Sequence, residues 1–263
     1  MKEYKGYFID LDGTLYRGTE LIPEALEFVR ELDQKGIPHL YLTNNSSRTP
    51  EQVADKLRQF GFPARPGQVY TTALATAQYV QENFPDARVY VIGEEGLLQA
   101  LKEKGCRITE EHPNAVVVGI DRGFTYKKMK KACLAIRAGA TLIGTNADRA
   151  LPTEEGLLPG SGSLVAGISA ATGVKPLFIG KPEPIILRYA LKKLGVAPEE
   201  VLIVGDNLDT DIRAGIEGGM DTLLVFTGIT TPEMAEKAEI KATYTARNLR
   251  EWMNRANEER RAH

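Results

Sequence analysis

The sequence predicts an α/β protein with a Rossmann-like, doubly wound parallel-sheet core and a second α/β unit inserted into it. Three observations carry this reading. Short apolar runs alternate with helical stretches along the whole chain, the order that builds parallel sheets covered by helices on both faces. Several apolar runs end in polar residues able to do chemistry, as strands do when their carboxyl ends face a site. The alternation is interrupted at Pro85-Asp86-Ala87 and changes character at Lys175-Pro176, which delimits an internal unit.

The elements follow in order. Residues 7–9 form an apolar strand ending in Asp10-Leu11-Asp12-Gly13. Pro23 starts a helix with Leu26, Val29 and Leu32 at helical spacing, closed by Gly36. A strand at 39–43 stops at Thr43-Asn44-Asn45-Ser46-Ser47, and a helix runs from Pro50 to Phe60. A short strand at 68–70 and a helix at 73–83 complete the first half of the core. The inserted unit reads as strand 88–92, helix 97–104, strand 115–118, helix 126–138 and strand 141–143. A Gly- and Pro-rich loop at 144–162 leads to a helix at 163–172. The core resumes with strand 177–179 before Gly180-Lys181-Pro182, helix 184–194 and strand 201–204. That strand runs into Gly205-Asp206-Asn207-Leu208-Asp209-Thr210-Asp211. Helix 212–217, strand 222–225 and a last βα unit finish the chain, with Glu258-Glu259-Arg260-Arg261 as a solvated helix end.

Bulk properties exclude several classes. The 263 residues are enough for one large or two modest domains. A formal net charge of -2 and a pI near 6.0 leave no basic footprint for nucleic acid. No apolar stretch is long enough to span a bilayer, and the first residues run straight into a strand, so neither a membrane anchor nor a signal peptide is expected. Cys106 and Cys133 form no disulfide framework or ligand pair, which suits a reducing cytoplasm. No Gly-x-Gly-x-x-Gly follows the first strand, so a dinucleotide site lacks support. His39, His112 and His263 lie outside the polar strand ends, which argues against a histidine nucleophile.

The chemistry collects at the strand ends. In an extended chain, residues i and i+2 share a face, so Asp10 and Asp12 can aim into one pocket while Leu11 turns to the core. Paired carboxylates need a cation or a shared proton, and a hard oxygen-ligated ion such as Mg²⁺ fits. A strand followed by an Asx-type turn explains the same four residues equally well. Asp206, Asp209 and Asp211 form an acidic cluster opening a helix; a helix cap accounts for one of them, a metal site for all. Thr43 and the amides of Asn44 and Asn45 suit phosphate oxygens, and an ordinary turn suits them too. Lys181 is either solvated or, beside aspartates and a phosphate, a source of neutralising charge.

Taken in order, Asp10-Leu11-Asp12-Gly13-Thr14, Thr43-Asn44-Asn45, Lys181-Pro182 and Gly205-Asp206-Asn207-Leu208-Asp209-Thr210-Asp211 resemble the motifs of the haloacid dehalogenase superfamily. The insert between Asn45 and Lys181 is similar to that of the NagD-like subfamily, which includes p-nitrophenyl phosphatases and acid sugar phosphatases. The resemblance covers essentially the whole chain. It implies a catalytic core at 1–85 and 175–263 and an α/β cap at 86–174 that reads the substrate. It implies a Mg²⁺-dependent phosphatase acting on small phosphate monoesters through an aspartyl-phosphate. Asp10 would be the nucleophile and Asp12 the acid and base. Asp10, the Asp12 carbonyl and Asp206 would ligate Mg²⁺, with Asp211 and Asn207 in support. Thr43, Asn44, Asn45 and Lys181 would bind the phosphoryl group.

In the cap loop, Asn146, Asp148, Arg149, Glu154 and Glu155 are the candidate substrate contacts. Arg149, the one cation between Gly144 and Gly162, would read a substrate carboxylate. The expected partners are a small phosphorylated metabolite and a second copy joined through the cap, with no nucleic acid and no membrane. The competing readings are a phosphotransferase or phosphomutase of the same superfamily, and a non-enzymatic phospho-aspartate receiver module, which would not need the insert.

Overall fold

The computed structural model describes residues 2–153 and 155–261, with side chains described through residue 258. Glu154 and His263 lie outside the described residues. In chain order the elements are β1 (Gly6–Ile9), β2 (Tyr16–Arg17), β3 (Glu20–Leu21), α1 (Pro23–Gln34), β4 (His39–Thr43), α2 (Pro50–Gln59), β5 (Val69–Thr71) and α3 (Thr72–Asn83). Next come β6 (Arg88–Ile92), α4 (Glu95–Glu103), β7 (Arg107–Ile108), β8 (Ala115–Val118), α5 (Tyr126–Arg137), β9 (Thr141–Gly144), β10 (Ala150–Thr153), β11 (Gly156–Pro159), α6 (Ser161–Thr172) and β12 (Leu177–Phe178). The chain ends with α7 (Ile185–Leu194), β13 (Val201–Gly205), α8 (Arg213–Glu217), β14 (Asp221–Val225), α9 (Pro232–Lys237), β15 (Tyr244–Ala246) and α10 (Leu249–Arg261). These elements form two compact units. The first comprises the residues up to Thr43, Val53–Tyr70 and the chain from Leu187; the second comprises Asn44–Gln52 and Thr71–Ile186.

The first unit is built on a six-stranded sheet of order β15-β14-β13-β1-β4-β5. The central strands β1 and β13 are parallel, with Ile9 opposite Val204, and every residue in both is buried. Continuous apolar strands of this kind belong in a parallel sheet covered on both faces. From β1 the chain winds outward through β4 and β5, then returns to the other side of β1 for β13, β14 and β15. The order reverses between β1 and β13, and that crevice is where ligands bind in open α/β sheets. Helix α1 begins at Pro23 and buries Ala25, Phe28, Val29 and Leu32, one face of a 3.6-residue period. They share a core with Ile9, Leu57, Val204, Leu223 and Trp252. Full burial of such a side chain contributes about 1.5–3 kcal/mol.

The second unit has its own parallel sheet, β12-β9-β8-β6-β7. Val116 and Val118 of β8 pack with Ala132 and Ile136 of α5 and Val165 and Ile168 of α6. Two expectations change here. The strand near Leu177, placed in the core from sequence, pairs with Ile143 and Gly144 and belongs to the second sheet. Lys175-Pro176 therefore does not end the inserted unit, because the hydrogen bonds of β9 extend it past the proline. The loop at 144–162 contains an antiparallel hairpin, β10–β11, with Gly156 at φ 116° in its turn. The short hairpin β2–β3 and strand β7 were not anticipated; at two residues each, they carry no readable alternation. Among the described residues, no helix is long and apolar enough to cross a membrane.

His39 is buried at the start of β4. Its Nδ1 lies 3.0 Å from the Ile37 carbonyl and its Nε2 3.1 Å from the Gln68 amide nitrogen. Nδ1 donates and Nε2 accepts, so the ring is held neutral. Burial pushes its pKa below the ordinary value near 6.5, against a smaller upward pull from the Ile37 carbonyl; Asp33 and Arg65 act on it in opposite senses. A depressed folded-state pKa means that the unfolded chain takes up the proton first as pH falls. His39 therefore leaves stability intact above about pH 6.5 and withdraws it as pH falls through that value toward the folded-state pKa. Thermal melts of wild type and His39→Gln at intervals between pH 7.5 and 5 check this. The wild-type Tm should fall more steeply than the variant's in that window, and parallel curves would contradict it.

Candidate active site

Asp10 follows β1 directly, and its amide donates to the Val204 carbonyl at 2.9 Å. Asp206 follows β13, the neighbouring strand, so both carboxylates stand at the crevice where the sheet reverses. Asp10, Asp206 and Asp211 each present a carboxylate oxygen within 4.8 Å of the others. Asp206 and Asp211 are buried. Carboxylates this close repel one another, and a bound cation offsets that repulsion. An all-oxygen donor set suits a hard divalent ion that keeps water in its shell.

Backbone without side chains makes room for the cluster. A Cβ on Gly13 would lie 2.4 Å from Asp206 Oδ2, and one on Gly228 would lie 2.0 Å from the same atom. Gly13 also has φ 83°, a turn that a glycine takes without strain. A Cβ on Gly205 would lie 2.3 Å from Asp211 Cγ. Asn207 supports Asp211 through its backbone: its amide donates to Asp211 Oδ2 at 3.2 Å and its carbonyl accepts from the Asp211 amide at 3.0 Å. The Asn207 side chain caps the following π-helical turn, Leu208–Ile212, through the Asp209 amide.

The acidic cluster differs in membership from the one read in the sequence. Asp209 is largely exposed and faces Arg213 at 3.5 Å. Residues two apart on a helix do not share a face, so Asp211 turns inward and Asp209 outward. Asp10 takes the third place. Asp12 is exposed, and its carboxylate is not among the three; its backbone bridges to Tyr16 as the chain turns into β2.

Thr43 ends β4 and is buried. The next residue, Asn44, begins a polar network within the second unit. The Asn44 backbone carbonyl accepts from Thr72 Oγ1 and Asn146 Nδ2, both at 2.7 Å. Asn44 Nδ2 donates to the Lys181 carbonyl at 2.9 Å and approaches both Asp148 oxygens at 3.3 Å. Asn44 and Lys181, 137 residues apart, are thus neighbours. Gly180 permits this approach, since a Cβ there would lie 2.6 Å from Asn44 Oδ1 and 2.8 Å from the Thr145 carbonyl. Lys181 is buried. Asn45 uses its side chain locally, accepting from the amides of Ser47 and Arg48 at 3.1 and 3.0 Å, an Asx-type turn.

The cap-loop candidates separate in the same way. Asn146 holds Asn44 and accepts from Ser161 Oγ at 2.8 Å, so it organises the loop. Arg149 is exposed where the chain enters β10, and its carbonyl is held by the Gly160 amide and the Ser163 hydroxyl. Glu155 is exposed. Sequence reasoning missed Thr72 and the loop after β14. Thr227-Gly228 follow an apolar strand just as Asp10 and Asp206 do, which is the signal that could have marked that loop.

Two family models match the chain: a haloacid dehalogenase-like hydrolase model over residues 7–107 and an HAD-hydrolase-like model over residues 178–252. The chain is 56% identical to the 5′-nucleotidase YutF of Bacillus subtilis strain 168 over 253 residues, covering 96% of this chain and 99% of that one. It is 51% identical to an acid sugar phosphatase of Staphylococcus aureus strain USA300, covering 95% and 97%. The solved 4-nitrophenylphosphatase from Thermotoga maritima superposes with a TM-score of 0.91 at 37% identity, covering 95% and 97%. With its motifs at the ends of β1, β4, β12 and β13 and whole-length relatives of this similarity, the chain belongs to the haloacid dehalogenase-like hydrolases, in the NagD-like group of phosphatases.

Proposed function

We propose that this chain is a Mg²⁺-dependent phosphatase that hydrolyses small phosphate monoesters through an aspartyl-phosphate on Asp10. The observation that carries this reading is the cluster of Asp10, Asp206 and Asp211 at the sheet's reversal point, with Asp12 two residues from Asp10 and outside the cluster. An Asp10 carboxylate oxygen attacks phosphorus as the bond to the leaving oxygen breaks, and Asp12 gives that oxygen its proton. Asp12 then takes a proton from water as the water attacks phosphorus, which frees phosphate and regenerates Asp10. Asp10, Asp206 and the Asp12 carbonyl would hold the cation, with Asp211 beside them in support. When bound, Mg²⁺ offsets charge on the transferring phosphoryl oxygens, where most of the barrier to this reaction lies. Thr43, the Asn44 and Asn45 amides and the Lys181 ammonium bind those oxygens. The Asn44–Lys181 hydrogen bond supports that assignment.

Residues 86–174, within the second unit, are the cap that reads the leaving group, and the substrate is a small phosphorylated metabolite of the kind named for the relatives, an acid sugar phosphate or a nucleoside monophosphate. Cytoplasmic placement is supported by the two cysteines, both unbridged. A homodimer through the second unit is supported by exposed Tyr126, Leu134 and Leu157. Transfer to an acceptor hydroxyl, as in a phosphomutase, is the competing chemistry. Release of inorganic phosphate from p-nitrophenyl phosphate, dependent on Mg²⁺, decides between them.

Asp10→Asn should lower kcat by about 10³-fold or more, since an amide is a poor nucleophile and a poor ligand, with the circular dichroism spectrum and Tm retained. Activity within tenfold of wild type would rule out the nucleophile assignment. Asp206→Ala should raise the Mg²⁺ concentration giving half-maximal activity by about tenfold or more, because lost ligands cost at least as much as their supporting groups. An unchanged midpoint would remove Asp206 from the ligand set. Arg149→Ala should lower kcat/KM for an acid sugar phosphate by about 1–3 kcal/mol and leave p-nitrophenyl phosphate and a nucleoside 5′-monophosphate nearly unchanged. Equal effects on all three would show that Arg149 reads no carboxylate.

A further inference from the structure

The loop after β14 ties the two strand ends of the carboxylate cluster together. Thr227 is buried, and its hydroxyl donates to the Gly13 carbonyl at 2.7 Å, across 214 residues. Its own carbonyl accepts from Arg17 Nε, at the start of the β2–β3 hairpin. Two residues on, the Ile229 amide donates to Asp206 Oδ2 at 2.7 Å. The Thr230 amide donates to the Asp206 carbonyl at 3.1 Å, and Thr230 Oγ1 accepts from the Leu208 amide at 3.2 Å. Between them, Gly228 passes so close to Asp206 that a Cβ there would clash with its carboxylate, 2.0 Å from Oδ2.

We propose that Thr227 is a positioning residue for the metal-site carboxylate Asp206: its hydroxyl pins the 227–230 loop to the Gly13 turn, and the pinned loop sets the Asp206 side chain through the Ile229 amide. This rests on the reading of Asp206 as a cation ligand and deepens it. A carboxylate with one oxygen held by a short backbone N–H cannot swing between rotamers, so its place relative to Asp10 and Asp211 is set before a cation arrives. The Gly13 carbonyl belongs to the turn that immediately follows Asp12, so the same hydroxyl links the Asp10–Asp12 segment to Asp206. Burial makes the bond costly to lose: removing the Thr227 hydroxyl deprives the Gly13 carbonyl of a buried donor.

The test is calorimetric titration of Mg²⁺ into the full-length enzyme without substrate, with metal-free Tm measured alongside. Thr227→Val keeps the shape and removes the hydroxyl; Thr227→Ser keeps the hydroxyl. The Val variant should bind Mg²⁺ about 3- to 10-fold more weakly, the effect of one buried hydrogen bond, and the Ser variant should bind within about twofold of wild type. Gly228→Ala, which crowds Asp206 without touching the hydroxyl, should weaken binding in the same direction and keeps the test open if the Val variant does not fold. Asp206→Asn is the control. If Asp206→Asn loses Mg²⁺ affinity while Thr227→Val or Gly228→Ala binds as wild type does, the positioning role is overturned alone. If Asp206→Asn itself binds as wild type does, the ligand reading beneath it falls. A Ser variant as weak as the Val variant would assign the loss to packing and also overturn the proposal.

Discussion

The repulsion among Asp10, Asp206 and Asp211 is the constraint on which the rest of the first unit depends. Three carboxylate oxygens within 4.8 Å of one another are unfavourable unless backbone amides, a cation or protons compensate. The chain meets this demand with architecture. Two fully buried parallel strands end side by side, and the residues that directly follow them carry two of the three groups. Glycines at 13, 205 and 228 let backbone approach the carboxylates where any Cβ would collide. Backbone N–H groups of Asn207 and Ile229 then donate to Asp211 and Asp206. Such donors stabilise ionised carboxylates without introducing a competing cation.

The second unit solves a different problem, that of holding an irregular polar loop still. The Asn44 carbonyl takes two donors, from Thr72 and Asn146, and the Asn44 amide spans the Lys181 carbonyl and Asp148. Asn146 is held in turn by Ser161. Buried networks of this sort are rigid when their members are paired and unfavourable when they are not. Asn44, Asn146 and Lys181 come from three loops, and small residues let those loops meet: Gly180 beside Asn44, and Gly160 and Gly162 against the backbone of residues 147 and 148.

These arrangements separate residues that composition alone would group together. Asp209 and Asp211 are two positions apart and equally acidic, yet one pairs with Arg213 in solvent and the other joins the cluster. Asn44 and Asn45 are adjacent and chemically identical, yet one bridges to Lys181 and the other closes its own turn. Helical phase and turn geometry, more than side-chain type, divide the work.

The strand–helix alternation, the parallel sheets and most element positions could be read from the sequence, because an apolar run buried on both faces and a helix with one buried face leave periodic marks. Asp10 and Asp206 could be read for the same reason, since each directly follows such a run. The hairpins β2–β3 and β10–β11 could not, being too short or too rich in proline and glycine to show alternation. The placement of β12 in the second sheet was decided by backbone hydrogen bonds to β9, which leave no trace in the order of side chains. Sequence determined which residues could carry charge and oxygen ligands and that they stand at strand ends. Tertiary structure alone decided that Asp209 stays outside the cluster, that the Asn44 side chain bonds the Lys181 carbonyl, and that Thr227 reaches Gly13 from 214 residues away. The reason is physical: strand order and helix phase bring together groups whose separation along the chain has no local periodicity to record it.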